Sequence, residues 1–333
     1  MFFKKQIAAI LTLALIFTAA PVTRSMADTN ETDNSESIKV LFVGNSLTYY
    51  NEMPTIFEGI SNANEVNVEV DSVTSGSYYL SYFAKETNAY GKLLREKLNQ
   101  TSFDYVVIQA QSSELLRMYE GSSLPAASTI ADLARYNGAT PILYMTWGLE
   151  DGYSFFYGDG TKAEYTYETM TDALSDAYFK LGNELGIKVA PVGQTFKIVK
   201  EMYPDFDMFD PDGKHPAEAG SYVAACTIYN TIFEDYDFPS EEKAYKSTCL
   251  GVPYWGDTVN LYEVDEEIAS AIQEVCDIRM TGSASYLSVS ARGNSKFKAT
   301  ITASPTNELY NNLYAENNTI TYSSSDYSII TVK

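Results

Sequence analysis

The sequence predicts an α/β protein, a parallel sheet with helices on both faces. Short runs rich in β-branched and aromatic residues alternate with longer stretches of helical periodicity, as when strands are joined by crossover helices. The length, 333 residues, allows one sizeable domain of this kind and a small additional piece. A third observation is a single junction. Val40 to Val43 reads as a buried strand, Gly44 and Asn45 break it, and Pro54 sits where an early helix residue would.

In chain order, strands are expected at 39–43, 66–70, 105–108, 141–145 and 187–191. Helical patterns lie between them, at 55–63, 85–98, 126–136 and 165–185. Two further helices follow at 217–233 and 264–278. From Thr281 the texture changes. Charge falls, Ser, Thr, Tyr and Asn dominate, and short alternating runs appear at 286–290, 296–301 and 320–324. That piece, 280–333, reads as all-β.

The first 27 residues have the form of a secretory signal. Lys4 and Lys5 precede an apolar core at 7–20, too short for a comfortable membrane span, and Ser25-Met26-Ala27 offers small residues for cleavage. Residues 28–37 are polar and acidic and are expected to be a disordered leader. The whole chain carries a net charge of −21, and losing the cations Lys4, Lys5 and Arg24 takes the remainder to −24. Such a surface repels phosphate backbones and anionic membranes, which argues against nucleic-acid or membrane binding after signal removal. The three cysteines, Cys226, Cys249 and Cys276, show no metal-ligand spacing, and one disulfide plus a free thiol is compatible with them in any pairing.

Ser46, on the turn between the first strand and the next helix, stands at the carboxyl end of the sheet, where open α/β folds build their sites. A serine nucleophile needs a base that accepts a proton near neutral pH, and His215 is the only histidine in the chain. Asp212, three residues before it, can orient the imidazole, with Asp207 and Asp210 as competitors. Aromatic side chains gather around this region in the sequence. Tyr49, Tyr78 and Trp147 are candidates for substrate contact, because flat rings with polar edges suit sugar or aryl groups.

Gly44-Asn45-Ser46-Leu47-Thr48 and Asp212-x-x-His215 resemble the first and last blocks of the SGNH (GDSL-type) hydrolases, with Asn45 where many members carry Asp. The resemblance covers roughly 38–279 and implies a flavodoxin-like three-layer α/β/α sandwich with a Ser46–His215–Asp212 triad. It also implies an oxyanion hole made by the N–H groups of Ser46 and Gly76 and a third donor. The family's third block, Gly-x-Asn-Asp, is replaced here by Gln109-Ala-Gln111-Ser-Ser-Glu114, so Gln111, or failing that Gln109, is expected to be that donor. No metal or organic cofactor is implied. The implied activity is hydrolysis of small acyl esters, with acetylated glycans as the expected substrates of a secreted or surface-associated member. The alternative is a non-catalytic module that binds glycan or cell-wall polymer. The segment from Phe297 resembles a truncated bacterial immunoglobulin-like repeat of group 2, a module that implies a spacer or stalk.

Overall fold

The computed structural model describes residues 37–233, the short strand pairs between 248 and 263 by backbone alone, and a helix at 266–281 with side chains at 267–276. The signal segment, nearly all of the acidic leader and the immunoglobulin-like segment lie outside the described residues.

Five strands form one parallel sheet: β1 (Ile38–Gly44), β2 (Val68–Thr74), β3 (Tyr105–Gln109), β4 (Thr140–Tyr144) and a short strand at Lys188–Ala190. Their spatial order is β2-β1-β3-β4 and then that last strand, every pair parallel. This is the flavodoxin-like doubly wound order, whose topological switch lies between β1 and β3.

Alternation along β1 divides the core in two. Val40 and Phe42 face one apolar cluster, and Leu41 and Val43 face the other. The first cluster is covered by α2 (Met53–Ala63) and, later in the chain, by helices at Val192–Met202, Glu218–Ile232 and Glu266–Thr281. The second is covered by α3 (Leu80–Ala84), α4 (Ala89–Gln100), α6 (Leu124–Tyr136) and α7 (Tyr167–Leu185). The remaining short helices are α1 (Ser46–Tyr49) and α5 (Glu114–Met118). A two-stranded hairpin, β5 (Tyr153–Phe156) with β6 (Lys162–Tyr165), follows β4, so the fifth strand of the main sheet is β7. The helices after it are α8 (Val192–Met202), α9 (Glu218–Ile232) and α10 (Glu266–Thr281).

Most predicted elements differ from the observed ones only at their ends, and side-chain caps account for two of the differences. Asn88 accepts the Tyr90 N–H and starts α4 there, and Thr166 caps α7 while Gly186, at φ 63°, closes it. The second strand begins two residues later than expected and ends four residues later, running through Asp71 and Ser72. An edge strand tolerates those polar residues, and Asp71 pairs with Lys97 at 2.5 Å. Neither α8 nor the β5–β6 hairpin was anticipated. Cys226 and Cys276 are both buried, and the side chain of Cys249 lies outside the described residues.

Between Ala219 and Ile232, α9 is buried at every position except Thr231. A helix that is apolar all round needs cover on all sides. Helices α2, α8 and α10 supply it, with Ala269, Ile272, Val275 and Cys276 of α10 inside the core cluster. Ile272 is fully buried, so Ile272→Ala should destabilise the domain by about 2–5 kcal/mol, read from chemical denaturation. A cost near zero would mean that α10 is peripheral.

Candidate active site

The turn after β1 is held by a carboxamide. Gln109, at the end of β3 and only 1% exposed, accepts the Asn45 N–H at 2.8 Å and the Thr48 hydroxyl at 2.8 Å through one oxygen. Its amide nitrogen donates to the Ala110 carbonyl. Gly44 permits this approach, since a Cβ there would sit 2.3 Å from Thr48 Oγ1 and 2.5 Å from Gln109 Oε1. Asn45 completes the turn. Its side chain accepts the Leu47 N–H at 3.1 Å, capping α1, and donates to the Tyr78 carbonyl at 3.2 Å. Ser46, the first residue of α1, is left half-buried at the carboxyl end of the sheet.

His215 arrives from the far end of the chain on a loop braced at several points. Asp210 N–H donates to the His215 carbonyl and Gly213 N–H to the Asp210 carbonyl, both at 2.9 Å, with Gly213 at φ 65°. The loop is also fixed to the segment after β4. Glu150 N–H donates to the Gly213 carbonyl at 2.9 Å and Trp147 Nε1–H to the Lys214 carbonyl at 3.1 Å.

His215 Nε2 lies 2.8 Å from Ser46 Oγ, and its Nδ1 lies 2.6 Å from an oxygen of Asp212. The other Asp212 oxygen accepts the backbone N–H groups of Lys214 and His215, each at 2.9 Å. Burial acts to raise the Asp212 pKa, but those two backbone donors and the His215 ring outweigh it and hold the carboxyl at about 2. An ionised carboxylate only accepts hydrogen bonds, so Nδ1 carries the proton and Nε2 is free to accept the Ser46 hydroxyl.

Tyr50 closes one face of the His215 imidazole. Its ring stacks on the imidazole with centroids 4.3 Å apart and planes 11° apart. The Asp210 carboxylate facing its hydroxyl, together with partial burial, raises the Tyr50 pKa. Asn51 and Glu52 follow at φ 51° and 50°, left-handed values that cost about 1–3 kcal/mol at each non-glycine position. The Asn51 amide donates to the Pro216 carbonyl and to Ser221 Oγ, both at 3.0 Å.

The other candidates fall in several places. Gly76 is exposed on the turn after β2, and the Tyr49 hydroxyl would lie 3.1 Å from a Cβ built there. Tyr49 is 38% exposed. Tyr78 is half-buried, packed on Tyr82, Phe83 and Tyr90. Trp147 requires correction as a substrate contact. It is fully buried and stacks on Phe196 at 4.0 Å, because its ring completes the core beneath the His215 loop. Gln109 requires the same correction as an oxyanion donor, since its side chain is buried and its oxygen holds the turn that presents Ser46. Gln111 donates to Ser112 Oγ at 2.8 Å, which engages one of its two amide hydrogens. Of the competitors of Asp212, both Asp210 and Asp207 line a cavity of about 490 Å³ with Glu150 and Lys200.

Three functional neighbours were not anticipated: Tyr50 and Asn51 in these roles, and Glu114. The Glu114 carboxylate, wholly buried, accepts the N–H groups of Leu80 and Gln111 and so ties the turn after β2 to the turn after β3. Burial raises its pKa in spite of those donors. Among the described residues no group of three or more His, Cys, Asp and Glu is placed to hold a metal ion.

No family model matches the chain, and no curated protein does. Solved structures do. A DUF4886 family protein from Bacteroides uniformis matches at 16% identity and a TM-score of 0.51, covering 74% of this chain and 95% of that one. A proposed SGNH hydrolase from Slackia heliotrinireducens matches at 23% identity and a TM-score of 0.49, covering 59% of this chain and 99% of that one. The chain shares the α/β fold of the DUF4886 family structure, and its own sheet is five-stranded and parallel. An acetylxylan esterase from Geobacillus stearothermophilus is also similar, at 14% identity and a TM-score of 0.43, covering 62% of this chain and 97% of that one. On this sheet Ser46 and Gln109 sit at the ends of β1 and β3, on either side of the switch point.

Two outcomes follow from this geometry. Gln109→Ala leaves the Asn45 N–H and the Thr48 hydroxyl without their acceptor, and should cost about 1–3 kcal/mol per orphaned group in denaturant unfolding. The Asp212 carboxyl titrates lower folded than unfolded, so its contribution is complete above its unfolded value near 4 and is lost as pH falls towards 2. Between those pH values the native chain should therefore lose more stability than Asp212→Asn, and equal losses would refute the depressed value.

Proposed function

We propose that the protein is a serine esterase that hydrolyses small acyl esters, with O-acetyl groups on carbohydrate as its substrates, acting outside the cell. One observation carries the reading: a serine hydroxyl, an imidazole and an ionised carboxylate in unbroken hydrogen-bonded sequence, at 2.8 and 2.6 Å. Of the family's fixed blocks, the first and the last are the two that supply this sequence.

In this reading Ser46 Oγ attacks the ester carbonyl as its proton passes to His215 Nε2. Asp212 does not take a proton. It stabilises the imidazolium, and a carboxyl held at about 2 is suited to that. The tetrahedral oxyanion lies against the backbone N–H groups of Ser46 and Gly76, with the remaining Gln111 amide hydrogen as third donor. The imidazolium then protonates the leaving alcohol, and a water activated by the same imidazole releases the acid from the acyl-enzyme. No step calls on a metal or an organic cofactor. The glycan assignment is supported by the exposed Tyr49 ring beside Gly76, and the extracellular assignment by the signal-like first 27 residues. The engagement of Gln109 in the Ser46 turn removes one expected donor, and this favours the second reading, a glycan or wall-polymer binding module with little turnover.

The test is hydrolysis of a chromogenic acetyl ester, followed by release of acetate from a panel of acetylated oligosaccharides. Ser46→Ala should abolish both with little change in melting temperature, and Asp212→Asn should lower kcat on the order of 10⁴-fold. Wild-type rates in Ser46→Ala would rule out the mechanism. A folded native chain that turns over neither class of ester would favour the binding module.

A further inference from the structure

The segment that follows the nucleophile also touches the base, and nothing in the catalytic sequence above uses it. Two contacts join Tyr50 and Asn51 to the loop that carries His215. The Tyr50 ring lies flat on the imidazole at 4.3 Å. The Asn51 amide donates at 3.0 Å to the carbonyl of Pro216, the residue after His215. The same amide reaches Ser221 Oγ on α9 at 3.0 Å, and Ser221 Oγ donates back to the Tyr50 carbonyl at 3.4 Å. The backbone turns through two left-handed residues to bring these groups into place, and neither is a glycine.

We propose that Tyr50 and Asn51 are positioning residues of the esterase: a clamp, built into the nucleophile segment, that sets the plane and depth of the His215 imidazole. The proposal rests on the esterase reading and extends it. Asp212 and Ser46 bind the imidazole at its two nitrogens, so both act in the plane of the ring. Two in-plane bonds leave the ring free to rock about the line that joins them. A face-to-face contact opposes that motion, and the Tyr50 ring is the contact present. The Asn51 bond to the Pro216 carbonyl fixes how far the loop stands from Ser46. A bond made by the nucleophile's own segment carries the base with the serine whenever either moves. The left-handed turn supports a functional origin, because strained non-glycine backbone persists only where its surroundings hold it. Here what holds it is the catalytic loop and the helix behind it.

The full chain with Tyr50→Leu, Tyr50→Phe and Asn51→Gly tests this, each variant assayed for kcat, KM and melting temperature on a chromogenic acetyl ester. Leucine removes the flat face, phenylalanine keeps it, and glycine keeps the left-handed turn while deleting the amide. Misplacement of a reacting group by about 1 Å costs up to about 10²-fold, so Tyr50→Leu and Asn51→Gly should each lower kcat by about 10-fold or more with KM within about twofold. Tyr50→Phe should recover most of the loss. Asn51→Gly should melt no lower than the native chain, since glycine adopts this turn without strain. The clamp is refuted if kcat stays within twofold in either Tyr50→Leu or Asn51→Gly, or if the losses appear in KM or follow the melting temperature. Ser46→Ala, run alongside, separates the two ideas. Full activity there overturns the esterase reading itself, whereas an inactive Ser46→Ala beside an active Tyr50→Leu overturns the clamp alone.

Discussion

Everything in this molecule that bears on chemistry depends on one contact, the 2.8 Å approach of His215 Nε2 to Ser46 Oγ across 169 residues of chain. Chain entropy works against such a meeting, and no single interaction is strong enough to impose it. The sheet does most of the work. Parallel pairing of β1 with β3 and β3 with β4 brings three strand ends into one row, and each presents a loop on the same side. The serine turn leans on β3 through Gln109, and the histidine loop leans on the segment after β4 through Trp147 and Glu150. The two halves of the site are therefore registered through the sheet before they touch directly.

Polar groups, buried in Gln109 and Glu114 and half-buried in Asn51, are the second element of this construction, and each joins two segments. Gln109 connects β3 to the serine turn, Glu114 connects the turn after β2 to the turn after β3, and Asn51 connects the nucleophile segment to the histidine loop. A buried polar group with all its partners specifies one arrangement, because any other leaves a donor or acceptor unmet. Such groups suit a site that must hold its geometry to fractions of an ångström.

Much of this was legible in the sequence. The order of strands and helices followed from β-branched runs alternating with helical periods. The serine turn was visible in Gly44-Asn45-Ser46, and its imidazole partner in a histidine with no rival. Less legible was anything set by which strand lies at the edge. Asp71 and Ser72 look like a loop until β2 is known to be an edge strand with one free side. Helix α8 had a readable signal in Val192, Phe196 and Val199 spaced along one face after Pro191, but its short run beside a strand hid it. The roles of Gln109 and Trp147 had no such signal. A glutamine that donates to a substrate and one that ties down a turn look alike in sequence, and so do a tryptophan in a cleft and one in a core. Burial decides between them, and burial depends on residues far away in the chain.

The enclosure of α9 has a consequence for how the protein comes into being. This helix follows directly from the histidine loop, and its apolar surface is closed off only when α10 arrives some forty residues later. A nascent chain that stopped short of α10 would expose a helix with no water-facing side. Synthesis at about 5–20 residues per second makes that a wait of a few seconds, during which the sheet has its strands but α9 lacks part of its cover. Closure of the core around α9 is therefore a late event, tied to α10 rather than to the strand that presents Ser46.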